Sequence, residues 1–61
     1  MYMNCKNIEV QLKNDGMPYM FKEANLYLED NILCVECLDG FTYCFPIENI
    51  WKYLFKRKEI K

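Results

Sequence analysis

The chain contains no histidine and no serine, a single alanine (Ala24), and only two glycines and two prolines. Without histidine or serine, Ser-His and Cys-His nucleophilic designs are excluded, which leaves carboxylates, lysines, thiols and phenols for any chemistry. Gly16 and Gly40 are the only glycines and both sit beside turn-forming residues, so there is no glycine-rich phosphate loop. Apolar runs last only a few residues, far short of the roughly 18 needed to span a bilayer, so no membrane segment or membrane partner is expected. Met1–Lys6 has no basic stretch leading into an apolar one, which predicts no secretory signal and a cytoplasmic setting. In that setting the four cysteines are expected as reduced thiols rather than a disulfide framework.

What is present suits one small domain spanning 1–61, with 52% hydrophobic, 16% aromatic and 28% charged residues. The aromatic content and the scarcity of glycine and proline argue against disorder. Chains of this size bury only about 60% of the surface that they expose when unfolded, so a deep catalytic cleft would consume much of the core. Function is therefore expected on an outer face, without catalysis and without a cofactor. The formal net charge of −1 hides a division: residues 1–50 hold three lysines against eight carboxylates, a charge of −5, whereas 51–61 hold four lysines and Arg57 against Glu59, a charge of +4. Abundant Asn, Lys and Ile beside one alanine suggest an AT-rich bacterial or phage gene.

Alternation of apolar and polar residues predicts a run of short strands. Asn7–Lys13 places Ile8, Val10 and Leu12 on one side, and Asn14-Asp15-Gly16 turns the chain into Met17–Phe21, where Pro18 favours an edge position. Lys22-Glu23 is read as a polar break before Ala24–Glu29. Asp30-Asn31 then forms a two-residue turn into Ile32–Leu38, and Asp39-Gly40 a second one into Phe41–Pro46. Two-residue turns set register: Leu28 opposes Leu33 and Leu26 opposes Val35 in one hairpin, while Val35 opposes Cys44 and Cys34 opposes Phe45 in the other. One face then collects Leu26, Leu28, Leu33, Val35, Cys37, Thr42 and Cys44 as core. The other collects Tyr27, Ile32, Cys34, Glu36, Leu38, Phe41, Tyr43, Phe45 and Ile47, a surface too apolar to be left bare.

Two structures for the C-terminal segment fit its pattern. Ile47, Ile50, Trp51, Leu54 and Phe55 follow a helical stripe, which predicts an α+β fold with a helix over 47–58 packed on the sheet. Alternatively, Pro46–Ile50 forms one 3₁₀ turn and Trp51, Tyr53 and Phe55 alternate along a last strand. The second reading is preferred: a mainly β fold, an antiparallel meander of five to six strands closing into an SH3-like or related barrel.

Cys34-Val35-Glu36-Cys37 has the spacing of a metal knuckle, and Cys5 and Cys44 would complete four thiolates for zinc. On a strand, however, Cys34 and Cys37 point to opposite faces, so structural thiols are the expectation and no metal site is assigned. Glu36, set between aromatic residues, is expected to hydrogen-bond a tyrosine or Asn25 or to reach solvent. The surplus of aromatics points to a regulator or inhibitor that binds a protein partner or itself as a homo-oligomer. Tyr27, Phe41, Tyr43, Trp51, Tyr53 and Phe55 are the expected anchors, with Lys52, Lys56 and Arg57 as a charged rim. Tyr27, Phe41, Tyr43 and Phe45 beside the basic segment Lys52, Lys56, Arg57, Lys58 and Lys61 also allow a single-stranded nucleic-acid reading, which the acidic body opposes.

Overall fold

Residues 2–58 are described by a computed structural model. They form five strands and one short helical turn: β1 (Met3–Leu12), β2 (Tyr19–Glu29), β3 (Ile32–Cys37), β4 (Thr42–Pro46), a 3₁₀ turn (Ile47–Asn49) and β5 (Ile50–Arg57). All neighbours are antiparallel, in the order β4-β3-β2-β1-β5. The mainly β meander is thus observed. The helix over 47–58 is not: only Ile47–Asn49 is helical, and the aromatics beyond it extend along β5. Strand-favouring Trp, Tyr and Phe prevail there because β5 docks by backbone pairing along β1. The closed barrel is not formed either, since β4 and β5 are the two edges of an open sheet.

The sheet is nevertheless strongly curled. On β1 the buried residues step from Cys5 to Ile8, three positions instead of two, because Asn7 adopts φ 53° and the pairing with β5 shifts there. An asparagine tolerates this left-handed conformation better than a branched residue would. On β2, opposite this bulge, Phe21 and Ala24 both face the core. The corner carries the chain through Lys22-Glu23, so β2 is one continuous strand rather than two. Glu23 pairs across the ladder with Lys6 and forms an ion pair with Lys58, which gives these polar residues a place within a strand. β2 is accordingly interior, although Tyr19–Glu23 has a neighbour only on the β1 side, since the β3 ladder begins at Ala24. The curl brings Tyr19 to 5.3 Å from Phe45 and Phe21 to 5.1 Å from Tyr43, joining elements that are not paired in the sheet.

The first hairpin has its expected register, with Leu26 opposite Val35 and Leu28 opposite Leu33. Its turn residues Asp30 and Asn31 have φ of 50° and 61°, as a two-residue hairpin turn of the right twist requires. The second hairpin differs by one residue. The Gly40 amide donates to the Cys37 carbonyl at 3.2 Å, the Cys37 amide to the Phe41 carbonyl at 2.8 Å, and the Phe41 amide to the Asp39 carboxylate at 3.0 Å. Only Gly40, at φ 98°, enters the left-handed region, so the loop is Leu38-Asp39-Gly40 and not Asp39-Gly40 alone. Val35 consequently opposes Tyr43, Leu33 opposes Phe45 and Cys34 opposes Cys44.

A slip of one residue exchanges the two faces of β4. Phe45, expected outside, is 6% exposed in the core, whereas Thr42 and Cys44, expected inside, are exposed. The core comprises Cys5, Ile8, Val10, Ala24, Leu26, Leu33, Val35 and Phe45, with Met3, Leu12, Phe21, Cys37, Ile50 and Phe55 packed against its margins. Each fully buried aliphatic side chain contributes about 1.5–3 kcal/mol of transfer free energy. Leu28 shares the face but remains 54% exposed, beyond the reach of this cluster.

Candidate functional site

Strand β5 forms the candidate site. Among the described residues it pairs with β1 alone, and an unpaired strand edge presents a row of N–H and C=O groups to solvent. The ladder assigns its side chains to faces: Lys52, Leu54 and Lys56 stand opposite Gln11, Glu9 and Lys6 on the outer face, and Tyr53 stands opposite the buried Val10 on the inner face. Trp51 is the extra residue of a second bulge, between the Gln11–Lys52 and Leu12–Ile50 pairs. Displaced from the alternation, it is 65% exposed, and the Lys52 ammonium lies 4.7 Å from its ring centroid.

Inside this edge lies a cleft of about 110 Å³ lined by Met3, Leu26, Tyr27, Leu28, Leu33, Tyr53 and Phe55. Tyr53 and Phe55 lie nearly parallel there, with centroids 6.1 Å apart. Leu28 of β2 lines this opening together with Tyr53 and Phe55 of β5, although β1 lies between the two strands in the sheet order. Beyond Phe55, the Arg57 Nε stands 3.4 Å from the Met3 sulfur, and the Lys58 amide donates to the Asn4 carbonyl at 3.0 Å. These contacts tie down the end of the basic strand.

The nine anchor and rim residues read from the sequence do not form one surface. Trp51, Lys52, Tyr53, Phe55, Lys56 and Arg57 all lie on β5 or in its bulge, with Phe55 partly in the core. Phe41 and Tyr43 lie at the β3–β4 hairpin on the far edge. Tyr27 lies on the outer face of β2, half-buried beneath Tyr2, whose ring stacks on it at 5.1 Å. The Tyr2 hydroxyl donates to the Glu36 carboxylate. That bond, together with burial and the carboxylate's charge, pushes the Tyr2 phenol up to about 12. Burial and the neighbouring Cys34 thiol raise Tyr27 as well.

Tyr2 is absent from the residues that the sequence pattern points to, because the clean alternation starts at Asn7 whereas β1 starts at Met3. The signal lay in the spacing: Met3 and Cys5 continue the apolar alternation once Asn7 is read as a bulge. Cys5, Cys34 and Cys37 are raised chiefly by burial, which keeps them as thiols at neutral pH. Among the described residues no group of three or more potential ligands is placed to hold a metal ion. In comparisons with known proteins, the chain matches no family model, no curated protein and no solved structure.

Proposed function

We propose that this protein is a small interaction module that captures an extended acidic and apolar segment of a partner protein by strand addition along β5. The observation that carries this reading is a free edge whose two faces differ in chemistry. Outward, Lys52 and Lys56 flank Leu54; inward, Tyr53 and Phe55 border the apolar cleft. A strand added beside β5 alternates its own side chains in the same way. Its outward residues meet ammonium groups and favour carboxylates, while its inward residues meet aromatic rings and favour aliphatic side chains. Trp51, exposed at one end, supplies a large anchor of low conformational entropy.

Two rival occupants fit less well. A second copy of the chain pairing through β5 would bring Lys52, Lys56 and Arg57 against the same cations, a like-charge arrangement that opposes association. A single-stranded nucleic acid would need outward aromatic platforms for its bases, whereas Tyr53 and Phe55 turn inward and the outer face includes Glu9.

The test is a titration of the isotope-labelled chain with a synthetic eight-residue peptide of alternating valine and glutamate. Amide shifts concentrated in Ile50–Arg57 are expected, with binding that weakens as salt rises. The double variant Lys52→Gln, Lys56→Gln should weaken it by about threefold to tenfold, the value of two exposed ion pairs. Equal binding of an alternating valine–lysine peptide, stronger binding of an oligothymidylate, or shifts centred on another surface would contradict the reading.

A further inference from the structure

The one-residue slip of the second hairpin has placed two cysteines directly across from each other. Cys34 on β3 and Cys44 on β4 are partners in the ladder, and their sulfurs stand 3.9 Å apart. The hydrogen bonds define the kind of pair. The Cys37 amide bonds to the Phe41 carbonyl, and at the other end of the ladder the Ile47 amide bonds to the Asn31 carbonyl at 2.9 Å. Hydrogen-bonded pairs therefore fall at 37–41 and 31–47, and by alternation at 35–43 and 33–45. Cys34 and Cys44 occupy a non-hydrogen-bonded position, where facing Cα atoms stand about 4.5 Å apart. That separation lies within the range a disulfide bridges, roughly 4.4–6.8 Å, so rotation of the side chains suffices and the backbone need not move.

The structure assigns Cys34 and Cys44 as a redox-responsive pair that closes to a cross-strand disulfide on exposure to a hydroperoxide. This assignment stands apart from β5, since β3 and β4 lie at the opposite side of the sheet. Cys44 is exposed and Cys34 is 6% exposed, which divides the roles. The Cys44 thiolate attacks the hydroperoxide: an S–O bond forms, the O–O bond breaks, and the leaving oxygen takes up a proton as an alcohol or water. Cys34, held back by burial, then attacks the Cys44 sulfenic sulfur. The S–S bond forms, the S–O bond breaks, and hydroxide leaves with the Cys34 proton as water. Two electrons pass from the thiols to the hydroperoxide. Cys37 takes no part, because it is on the opposite face, at the core margin, and Cys5 is buried on β1. The bridge would clamp β4, an edge strand of five residues, to β3, its one neighbour among the described residues.

The experiment treats the full chain with stoichiometric hydrogen peroxide and maps it by mass spectrometry under non-reducing conditions. The expected product is a monomer lighter by two hydrogen atoms, with Cys34 and Cys44 in one linked peptide and the mass restored by dithiothreitol. Amide exchange along β4 should slow in the oxidised form. Cys37→Ser should oxidise as the parent does, while Cys44→Ser, a change at an exposed position, should retain the fold by circular dichroism and form no internal disulfide. A Cys34–Cys37 linkage, an intermolecular dimer through Cys44 as the main product, or sulfinic acid without a disulfide would overturn the assignment.

Discussion

At the residue scale, two leucines of one strand separate burial from mere alternation. Leu26 is 2% exposed and packed in the core, whereas Leu28, on the same face of β2, is 54% exposed at the cleft. Leu26→Ala is expected to cost about 2–5 kcal/mol in urea denaturation, and Leu28→Ala less than about 1 kcal/mol, as a surface change does. The same Leu28→Ala should weaken binding of the valine–glutamate peptide, because Leu28 lines the cleft beside Tyr53. Tyr2 offers a pH-dependent counterpart. Its phenol is raised in the fold to about 12, above the value of about 10 in an unfolded chain, so the fold favours the neutral form. Its contribution is complete below the unfolded pKa and is lost as pH rises from there through the folded value. Tyrosinate absorbance should therefore show a late-titrating phenol that Tyr2→Phe removes, together with a smaller loss of stability on the alkaline side.

At the scale of elements, the turns and bulges decide which residues meet. Asn7 at φ 53° sets the corner of β1, and a branched side chain there is strained. Asn7→Val is expected to cost about 1–3 kcal/mol in thermal or urea unfolding, while Asn7→Gly should be close to neutral. These elements also show where the sequence is legible. Ile8, Val10 and Leu12, the Asp30-Asn31 hairpin and the extended course of β5 with Tyr53 and Phe55 on one face follow from period and turn chemistry, whereas the bulge that displaces Trp51 does not. The continuity of β2 does not, because Lys22 and Glu23 resemble a loop until Lys6 and Lys58 are known to flank Glu23. Nor does the register of the second hairpin. Asp-Gly serves both a two-residue and a three-residue loop, and only the hydrogen bonds at Cys37 and the conformation of Gly40 distinguish them. That single residue moved Phe45 into the core, turned Cys44 outward beside Cys34, and dissolved the broad aromatic face that the simpler loop implied. The β5 cluster was legible as a group of residues, but Met3 and Leu28 joined it only through the curl of the sheet.

At the scale of the whole molecule, the division of charge acquires a location. The basic C-terminal segment is an edge strand, and the acidic body provides most of the remaining sheet. Lysines along an edge discourage pairing between copies, and under the proposed reading they would select a partner of opposite charge. Sedimentation at rising protein concentration should show a monomer at neutral pH with no species joined through β5. Neutralising Lys52 and Lys56 together should increase self-association, because it removes the repulsion that keeps the edge unpaired.

The central claim is that β5 accepts another strand. The most direct test is the pattern of nuclear Overhauser effects between the labelled chain and the bound valine–glutamate peptide. Cross-strand contacts between backbone protons of the peptide and those of Ile50–Arg57 at regular two-residue spacing, with valine methyl groups near Tyr53 and Leu28, are the expected result. Contacts confined to side chains, or directed to the β3–β4 hairpin with the β5 backbone untouched, would contradict the account.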